Sequence, residues 1–176
     1  ASRYSLTQPT TTANITAATL TVNGITSNNK TYDGLASATS LLNTGSASLS
    51  GVIGADVVTL VTGSATGTFP DKNVGTGRTV TVAGLTLTGT DAANYSLTQP
   101  TTTANITAKG LTVSGVTAND KTYDRTATAT LNTGSAALVG KVAGDSLSID
   151  VTAAAGAFPD KLVGSNRTVT VSGITT

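Results

Sequence analysis

An internal repeat constrains the fold of this chain more than any other feature of its sequence. The segment YSLTQPTTTANITA at residues 4–17 recurs letter for letter at residues 95–108, an offset of 91. RTVTV at residues 78–82 recurs at residues 167–171, an offset of 89, so two residues are lost between the copies. A long period of this kind is typical of tandem modules. The chain is therefore expected to fold as copies of one module of about 90 residues.

The repeat also predicts the module boundaries. Residues 1–17 are expected to be the closing hairpin of a preceding repeat, residues 18–108 a complete module, and residues 109–176 a second module without its closing hairpin. A module that lacks two strands presents an open sheet edge. We therefore expect head-to-tail strand addition, in which the repeated N-terminal segment fills the groove of a neighbouring molecule. The alternative is a permuted boundary, with complete modules at residues 1–91 and 92–176.

Composition and patterning predict an all-β fold. Thr, Gly, Ser, Ala and Val dominate, charged residues make up only 11% of the chain, and short alternating runs are separated by Gly, Asn, Asp and Pro. Many short strands within one period are typical of a β-sandwich. We expect tandem Ig-like β-sandwich modules with almost no helix, and β-grasp-like modules are the alternative. The strands expected in the first period are residues 19–25, 36–42, 47–50, 57–61, 66–69, 78–88, 95–99 and 103–107.

One segment favours the Ig-like alternative. TDAANYSLT at residues 90–98 has the spacing of a tyrosine corner, in which a tyrosine hydroxyl bonds to the backbone just upstream. Tyr95 is accordingly expected to be buried, with its hydroxyl bonded to the backbone near Thr90 or Asp91 and with Leu97 in the core. The alternative is that Tyr95 is an ordinary aromatic of the core or its rim.

The residue types that the chain lacks restrict its chemistry. It contains no Cys, His, Trp, Met or Glu. Ser-His-Asp and Cys-His nucleophile systems and tetrahedral zinc sites are therefore excluded. We expect no enzyme activity, no catalytic residue, no cofactor and no metal. The net charge is +1 and the Lys and Arg residues are scattered, so neither nucleic-acid binding nor membrane insertion is expected.

Two short motifs recur in both copies. KTYD at residues 30–33 recurs at residues 121–124, and FPDK at residues 69–72 recurs at residues 158–161. The favoured interpretation is structural, with each Asp capping a turn and each aromatic covering one end of the module. A ligand site on every module is the alternative. The structural motif residues are Tyr32, Asp33, Phe69, Asp71, Lys72, Asp91, Tyr95, Tyr123, Asp124, Phe158, Asp160 and Lys161.

Three segments together resemble a known family. TYDG at residues 31–34, FPDKNVGTGRTVTVAGLTLTG at residues 69–89 and DAANYSLTQPTTTANITA at residues 91–108 are similar to the YDG-type repeats of large bacterial filamentous haemagglutinin-like or biofilm-matrix adhesins. The resemblance covers essentially the whole chain. The second copy departs from the pattern because Arg125 stands where the first copy has Gly34.

The resemblance implies a structural role outside the cell. Members of this kind are secreted or displayed on the bacterial surface, and their repeats form a stalk that holds a binding region away from the cell. Neighbouring repeats of the same chain are then the main partners, and a host-surface or matrix polysaccharide is the expected class of ligand. The alternative function is a carbohydrate- or surface-binding module that uses its exposed Thr-rich strand faces.

Overall fold

The computed structural model describes residues 3–176, so the first two residues of the expected 1–17 hairpin lie outside the described residues. The chain is built almost entirely of short β-strands. Within the described residues the helical content is limited to two 3₁₀ turns, Thr39–Leu41 and Ala92–Asn94. The expected all-β fold with almost no helix is confirmed. The finer assignment to an Ig-like sandwich, and its β-grasp alternative, stay predictions.

The strands of the first repeat alternate between buried and exposed residues. In β1 the side chains of Leu20 and Val22 are buried and those of Thr19 and Thr21 are exposed, as the two-residue period of a strand requires. The strands are β1 (Ala18–Asn23), β2 (Thr26–Ser27), β3 (Lys30–Thr31), β4 (Leu42–Asn43), β5 (Ser48–Ser50), β6 (Thr59–Val61), β7 (Thr66–Thr68), β8 (Gly75–Ala83), β9 (Thr86–Thr88), β10 (Tyr95–Leu97) and β11 (Thr101–Thr107).

The pairing of these strands brings distant segments together. β1 pairs in parallel with β10 and antiparallel with β5. β8 lies between β11 and β7 and pairs antiparallel with both. β2 pairs with β4, and β6 pairs with β9. The segment that ends the period therefore supplies β10 and β11 to two different sheets.

The second repeat contains fewer and shorter strands. They are β12 (Thr112–Ser114), β13 (Thr117–Ala118), β14 (Thr128–Ala129), β15 (Leu131–Asn132), β16 (Ala137–Val139), β17 (Ala155–Ala157) and β18 (Thr170–Ser172). β12 pairs with β16, β13 pairs with β15, and β17 lies between β14 and β18. β18 has only three residues, whereas its counterpart β8 has nine.

Aliphatic side chains and one phenylalanine form the core of the first repeat. Val22, Ile25, Val82 and Leu85 make one buried cluster, and Leu97 packs against it from β10. Further fully buried side chains are Leu20, Phe69, Val80 and Ile106. The core thus uses residues from both ends of the period.

The structure corrects one expected strand. Residues 36–42 were expected to be extended. Ser37 makes an antiparallel bridge with Thr68, but Thr39–Leu41 form a 3₁₀ turn and only Leu42 belongs to a named strand. The Thr39 hydroxyl accepts a hydrogen bond from the Gly67 amide at 3.2 Å, so a side chain takes the place of a ladder partner here. The turn lies in the segment where the second repeat is shorter.

The long run expected at residues 78–88 is interrupted at Gly84, as anticipated for a bend. Gly84 has a φ of +79°, and the strand resumes as β9. A Cβ at this position would lie 2.2 Å from the Ser64 carbonyl oxygen. Only glycine satisfies both the backbone angle and the close approach.

The chain divides into two compact units. Unit 1 comprises Ala1–Lys30 and Ala36–Ile106, and unit 2 comprises Thr31–Leu35 and Thr107–Thr176. No helix among residues 3–176 has the length and apolar character needed to cross a bilayer.

Candidate functional site

Lys30, the first residue of the KTYD motif, meets the FPDK motif in unit 1. The Lys30 ammonium lies 6.0 Å from the centroid of the buried Phe69 ring and donates to the Ser37 carbonyl at 3.2 Å. An ammonium at this distance over an aromatic face is attracted by the ring quadrupole. The two motifs therefore form one cluster although 38 residues separate their first letters.

The same cluster recurs in unit 2. Lys121 lies 5.8 Å from the Phe158 centroid and donates to Asp124 and to the Thr126 hydroxyl, both at 2.9 Å. It also donates to the Thr128 carbonyl, which is the counterpart of Ser37. The hydrogen bond from Lys121 lowers the pKa of Asp124 to about 2, and the Thr126 amide adds to the effect.

An arginine that sequence reasoning missed completes each FPDK motif. Arg78 contacts Asp71 at 2.6 Å, and Arg167 contacts Asp160 at 2.5 Å. The pKa of Asp71 is lowered first by the Asn73 amide and then by Arg78, and that of Asp160 is lowered first by Arg167. The available signal was the RTVTV segment, whose Arg follows the motif Asp by seven positions in both copies.

The carboxylates of the four motif aspartates also accept hydrogen bonds from nearby backbone amides. Asp33 and Asp124 accept from the amides of Leu35 and Thr126, both at 2.9 Å. The carboxylates of Asp71 and Asp160 accept in the same way from the amide two positions later, both at 2.7 Å. A carboxylate that accepts from the amide two residues on is an Asx turn. Lys72 and Lys161, the last letters of the FPDK motifs, are exposed.

Tyr95 is buried as expected, but the prediction that its hydroxyl bonds to the backbone near Thr90 or Asp91 is wrong. The hydroxyl donates to Asp56 at 2.6 Å and accepts from the Ile53 amide at 3.0 Å, instead of bonding to the backbone near Asp91. The hydrogen bond to Asp56 raises the pKa of Tyr95. Asp91 instead accepts from the Val57 amide at 2.8 Å, so the 53–57 loop is held by both residues.

The counterpart of Asp56 also accepts from a tyrosine. Asp145 lies 89 positions after Asp56 and accepts from the Tyr32 hydroxyl at 2.8 Å within unit 2. The Tyr32 amide in addition donates to the Thr107 carbonyl at 2.8 Å. Tyr123, the counterpart of Tyr32, is 54% exposed. Sequence reasoning did not single out either aspartate, although both precede an alternating strand run at the same place in the repeat.

A polar groove opens on unit 2. Its volume is about 500 Å³, and its walls include Asp120, Lys121, Phe158, Asp160, Arg167 and Val169. The groove therefore contains most members of the Lys-Phe-Asp-Arg cluster described above. Among residues 3–176 no group of three or more aspartates is placed where it could hold a metal ion together.

Comparison with known families agrees with the repeat. The profile of the YDG domain matches residues 16–104 and matches again at residues 107–176. No curated protein and no solved structure shows significant similarity to the chain. The two matches together cover most of the sequence. The chain therefore belongs to the YDG domain family and carries two copies of that domain.

Proposed function

We propose that these YDG domains are stalk or spacer repeats of a surface-displayed or secreted bacterial adhesin. In this role they extend a binding region away from the cell and support adhesion or biofilm formation. The observation that carries the proposal is the occurrence of the same all-β domain twice in succession, with no Gly-Ser or Pro-rich linker between the two copies. Tandem modules of this kind lengthen an array in proportion to their number.

The contacts of the repeated charged residues also support a structural role. Arg78 and Asp71 pair within unit 1, and Arg167 and Asp160 pair within unit 2. Lys30 and Lys121 each contact the aromatic ring of the neighbouring motif. Because these polar groups stabilise their own turns and strands, the proposal assigns them no catalytic role.

The spacer proposal is tested by varying the number of repeats. Chains with two, four and six repeats should show a maximum dimension in small-angle X-ray scattering that increases linearly with copy number. The longest strand, β8, has nine residues, which leads us to expect roughly 30 Å per repeat. A dimension that grows only as the cube root of chain mass would indicate a collapsed assembly and would contradict the proposal.

The location is tested separately. An antibody raised against this chain should label intact cells of the organism that encodes it, with an antibody against a cytoplasmic protein as the negative control. Labelling that appears only after the cells are permeabilised would contradict a surface-displayed adhesin.

A second function, the binding of a carbohydrate or solid surface, is favoured by one arrangement of threonines. Thr81 of β8 lies opposite Thr68 of β7 on one side and opposite Thr101 of β11 on the other. All three residues are exposed, so their hydroxyls form a row across three strands. Such a row presents regularly spaced hydrogen-bonding groups to a polysaccharide.

A glycan array tests this second function. Thr81→Lys places a long charged side chain in the middle of the threonine row, and Thr59→Lys makes the same change on the exposed face of β6. Binding that is lost in Thr81→Lys and kept in Thr59→Lys would support the threonine row as a binding face. A chain that binds no glycan, or two variants that behave alike, would exclude it.

A further inference from the structure

The TYDG motif of the first repeat lies in a different unit from the rest of its domain copy. The family profile places this motif, residues 31–34, inside the first copy, which it matches at residues 16–104. In the folded chain, however, Thr31–Leu35 belong to unit 2 together with Thr107–Thr176. Unit 2 therefore includes a short segment that comes from the copy before it in the sequence.

Tyr32 joins this segment to unit 2 through both its side chain and its backbone. Its hydroxyl donates to Asp145 at 2.8 Å in a partly buried contact. Its amide donates to the Thr107 carbonyl, also at 2.8 Å. Any residue except proline can make the second hydrogen bond, whereas the first needs a side chain with a donor at its far end. The hydroxyl of Tyr32 is therefore the part of this contact that depends on sequence.

Gly34 brings the backbone of the segment close to the same part of unit 2. A Cβ at this position would lie 2.9 Å from Cγ1 of Val142, which is well inside the optimal separation of two carbon atoms. The φ of Gly34 is +82°, so the backbone conformation also favours glycine. A side chain at this position would have to displace Val142 or lift the segment away from it.

Asp33 fixes the shape of the segment between these two contacts. Its carboxylate accepts from the Leu35 amide at 2.9 Å and forms an Asx turn. A turn that is already formed reduces the conformational entropy lost on binding. The three letters Y, D and G of the motif thus have separate roles, which are the hydroxyl contact, the turn and the close approach.

The part of unit 2 that receives the segment is a turn of its own. The Asp145 amide donates to the Val142 carbonyl at 3.2 Å, and Gly144 has a φ of +89°. A four-residue turn with a positive φ at its third residue is typical of type II. The first residue of this turn faces Gly34 and the last accepts from Tyr32. The two contacts are therefore made by the two ends of one short, hydrogen-bonded loop.

We propose that the turn at residues 142–145 is a peptide-binding site whose ligand is a TYDG segment, supplied in this chain by the preceding domain copy. Tyr32 recognises Asp145, and Gly34 permits the approach to Val142. The ligand class is a short peptide that presents a tyrosine, a turn-forming aspartate and a glycine in that order. This inference concerns the assembly of unit 2 and does not depend on the adhesin proposal.

Gly34→Ala tests the close approach in the full chain. The added methyl group should push the segment off the turn, and exchange of the Asp145 amide should become about tenfold faster as the hydrogen bond from Tyr32 is lost. Val142→Ala in the same chain removes the side chain that the methyl group meets, so the double variant should exchange at close to the wild-type rate. Backbone strain at residue 34 alone would not be relieved by this second change. Unchanged exchange in Gly34→Ala, or equally fast exchange in both variants, would overturn the proposal.

A peptide tests recognition of the segment itself. A segment tethered in the same chain acts at roughly millimolar effective concentration, so the peptide is added in that range. The peptide NKTYDGLAS, residues 29–37, should shift the amide NMR signals of residues 142–145 in the Gly34→Ala chain. Its Tyr32→Phe form should bind more weakly, and its Gly34→Ala form should cause no shift. No shift with the unaltered peptide, or equal shifts with all three, would overturn the proposal.

Discussion

Tyr95 donates a hydrogen bond of 2.6 Å to Asp56, which lies 39 positions earlier in the chain. The same hydroxyl accepts from the Ile53 amide, so it uses both its donor and its acceptor capacity. In unit 2 the equivalent Asp145 accepts from Tyr32 instead. The position of the aspartate in the repeat is thus maintained while the tyrosine that reaches it changes.

Tyr95→Phe should destabilise unit 1. The substitution removes the hydroxyl and leaves the Ile53 amide and Asp56 without this hydrogen-bond partner. Removing only one side of a hydrogen bond lowers stability more than removing both, because the remaining polar group is left unsatisfied. The thermal unfolding midpoint of unit 1 should fall by several degrees. The control is Tyr123→Phe, because Tyr123 is largely exposed. Equal melting temperatures for the two variants would contradict the importance of the Tyr95 hydroxyl.

Tyr32→Phe should loosen the loop at residues 142–145 without unfolding unit 2. The Tyr32 hydroxyl holds Asp145, whose own amide donates to the Val142 carbonyl at 3.2 Å. Hydrogen exchange of the Asp145 amide should therefore become faster in the variant, while exchange in β17 stays unchanged. Unaltered exchange at Asp145 would show that the tyrosine does not hold this loop.

The stability of unit 2 should depend on the ionisation of Asp124. Its pKa is lowered to about 2 by the hydrogen bond from Lys121, below the ordinary value of 3.8. Since the folded state favours the ionised form, the stabilisation is complete above about pH 4 and is lost as the pH falls through about 2. The difference in urea midpoint between the wild type and Asp124→Asn should therefore shrink over this interval.

NMR titration of the carboxyl group gives a direct check of the same prediction. The Asp124 midpoint should lie near 2 in the wild type and should move towards 3.8 in Lys121→Gln, which removes the charged donor. An unperturbed midpoint in the wild type, or no change in the variant, would contradict the assigned cause.

Arg125→Gly should stabilise unit 2. Arg125 has a φ of +69°, close to the +82° of Gly34 at the same place in the first repeat. A side chain in this conformation costs about 1–2 kcal/mol, and the greater freedom of glycine in the unfolded state offsets part of the gain. The free energy of unfolding should rise by up to about 1 kcal/mol in urea denaturation. A lower free energy of unfolding in the variant would mean that the contacts of the Arg125 side chain stabilise unit 2 by more than the backbone strain destabilises it.

Gly84→Ala should destabilise unit 1 by at least about 1–2 kcal/mol, which is the cost of the left-handed backbone alone. The new Cβ would in addition meet the Ser64 carbonyl oxygen at 2.2 Å. Gly63→Ala is the matched control, because a Cβ there has no neighbour within 4 Å. Urea denaturation of the two variants should separate them clearly, and equal midpoints would contradict the bend assigned to Gly84.

Local patterns were sufficient for much of the fold. The alternation of Thr with Leu or Val predicted strands that β1 and β8 confirm, because a two-residue period depends only on the direction of successive side chains. The bend at Gly84 was also predictable from the local sequence, because glycine readily adopts the positive φ that the bend requires. The strand expected at residues 36–42 was right only in its first part, where Ser37 makes an antiparallel bridge with Thr68. It ends at the 3₁₀ turn Thr39–Leu41, where the Thr39 hydroxyl bonds to Gly67, and this contact cannot be read from the local pattern.

The sequence by itself determined the repeat, the all-β class and the residues that make up each repeated motif. Tertiary structure alone decided which groups meet: Tyr95 with Asp56, Arg78 with Asp71, and Asp145 with Tyr32. The physical reason is that strand periodicity acts between neighbours along the chain. Side-chain hydrogen bonds and the pairing of strands instead depend on how segments far apart in sequence pack.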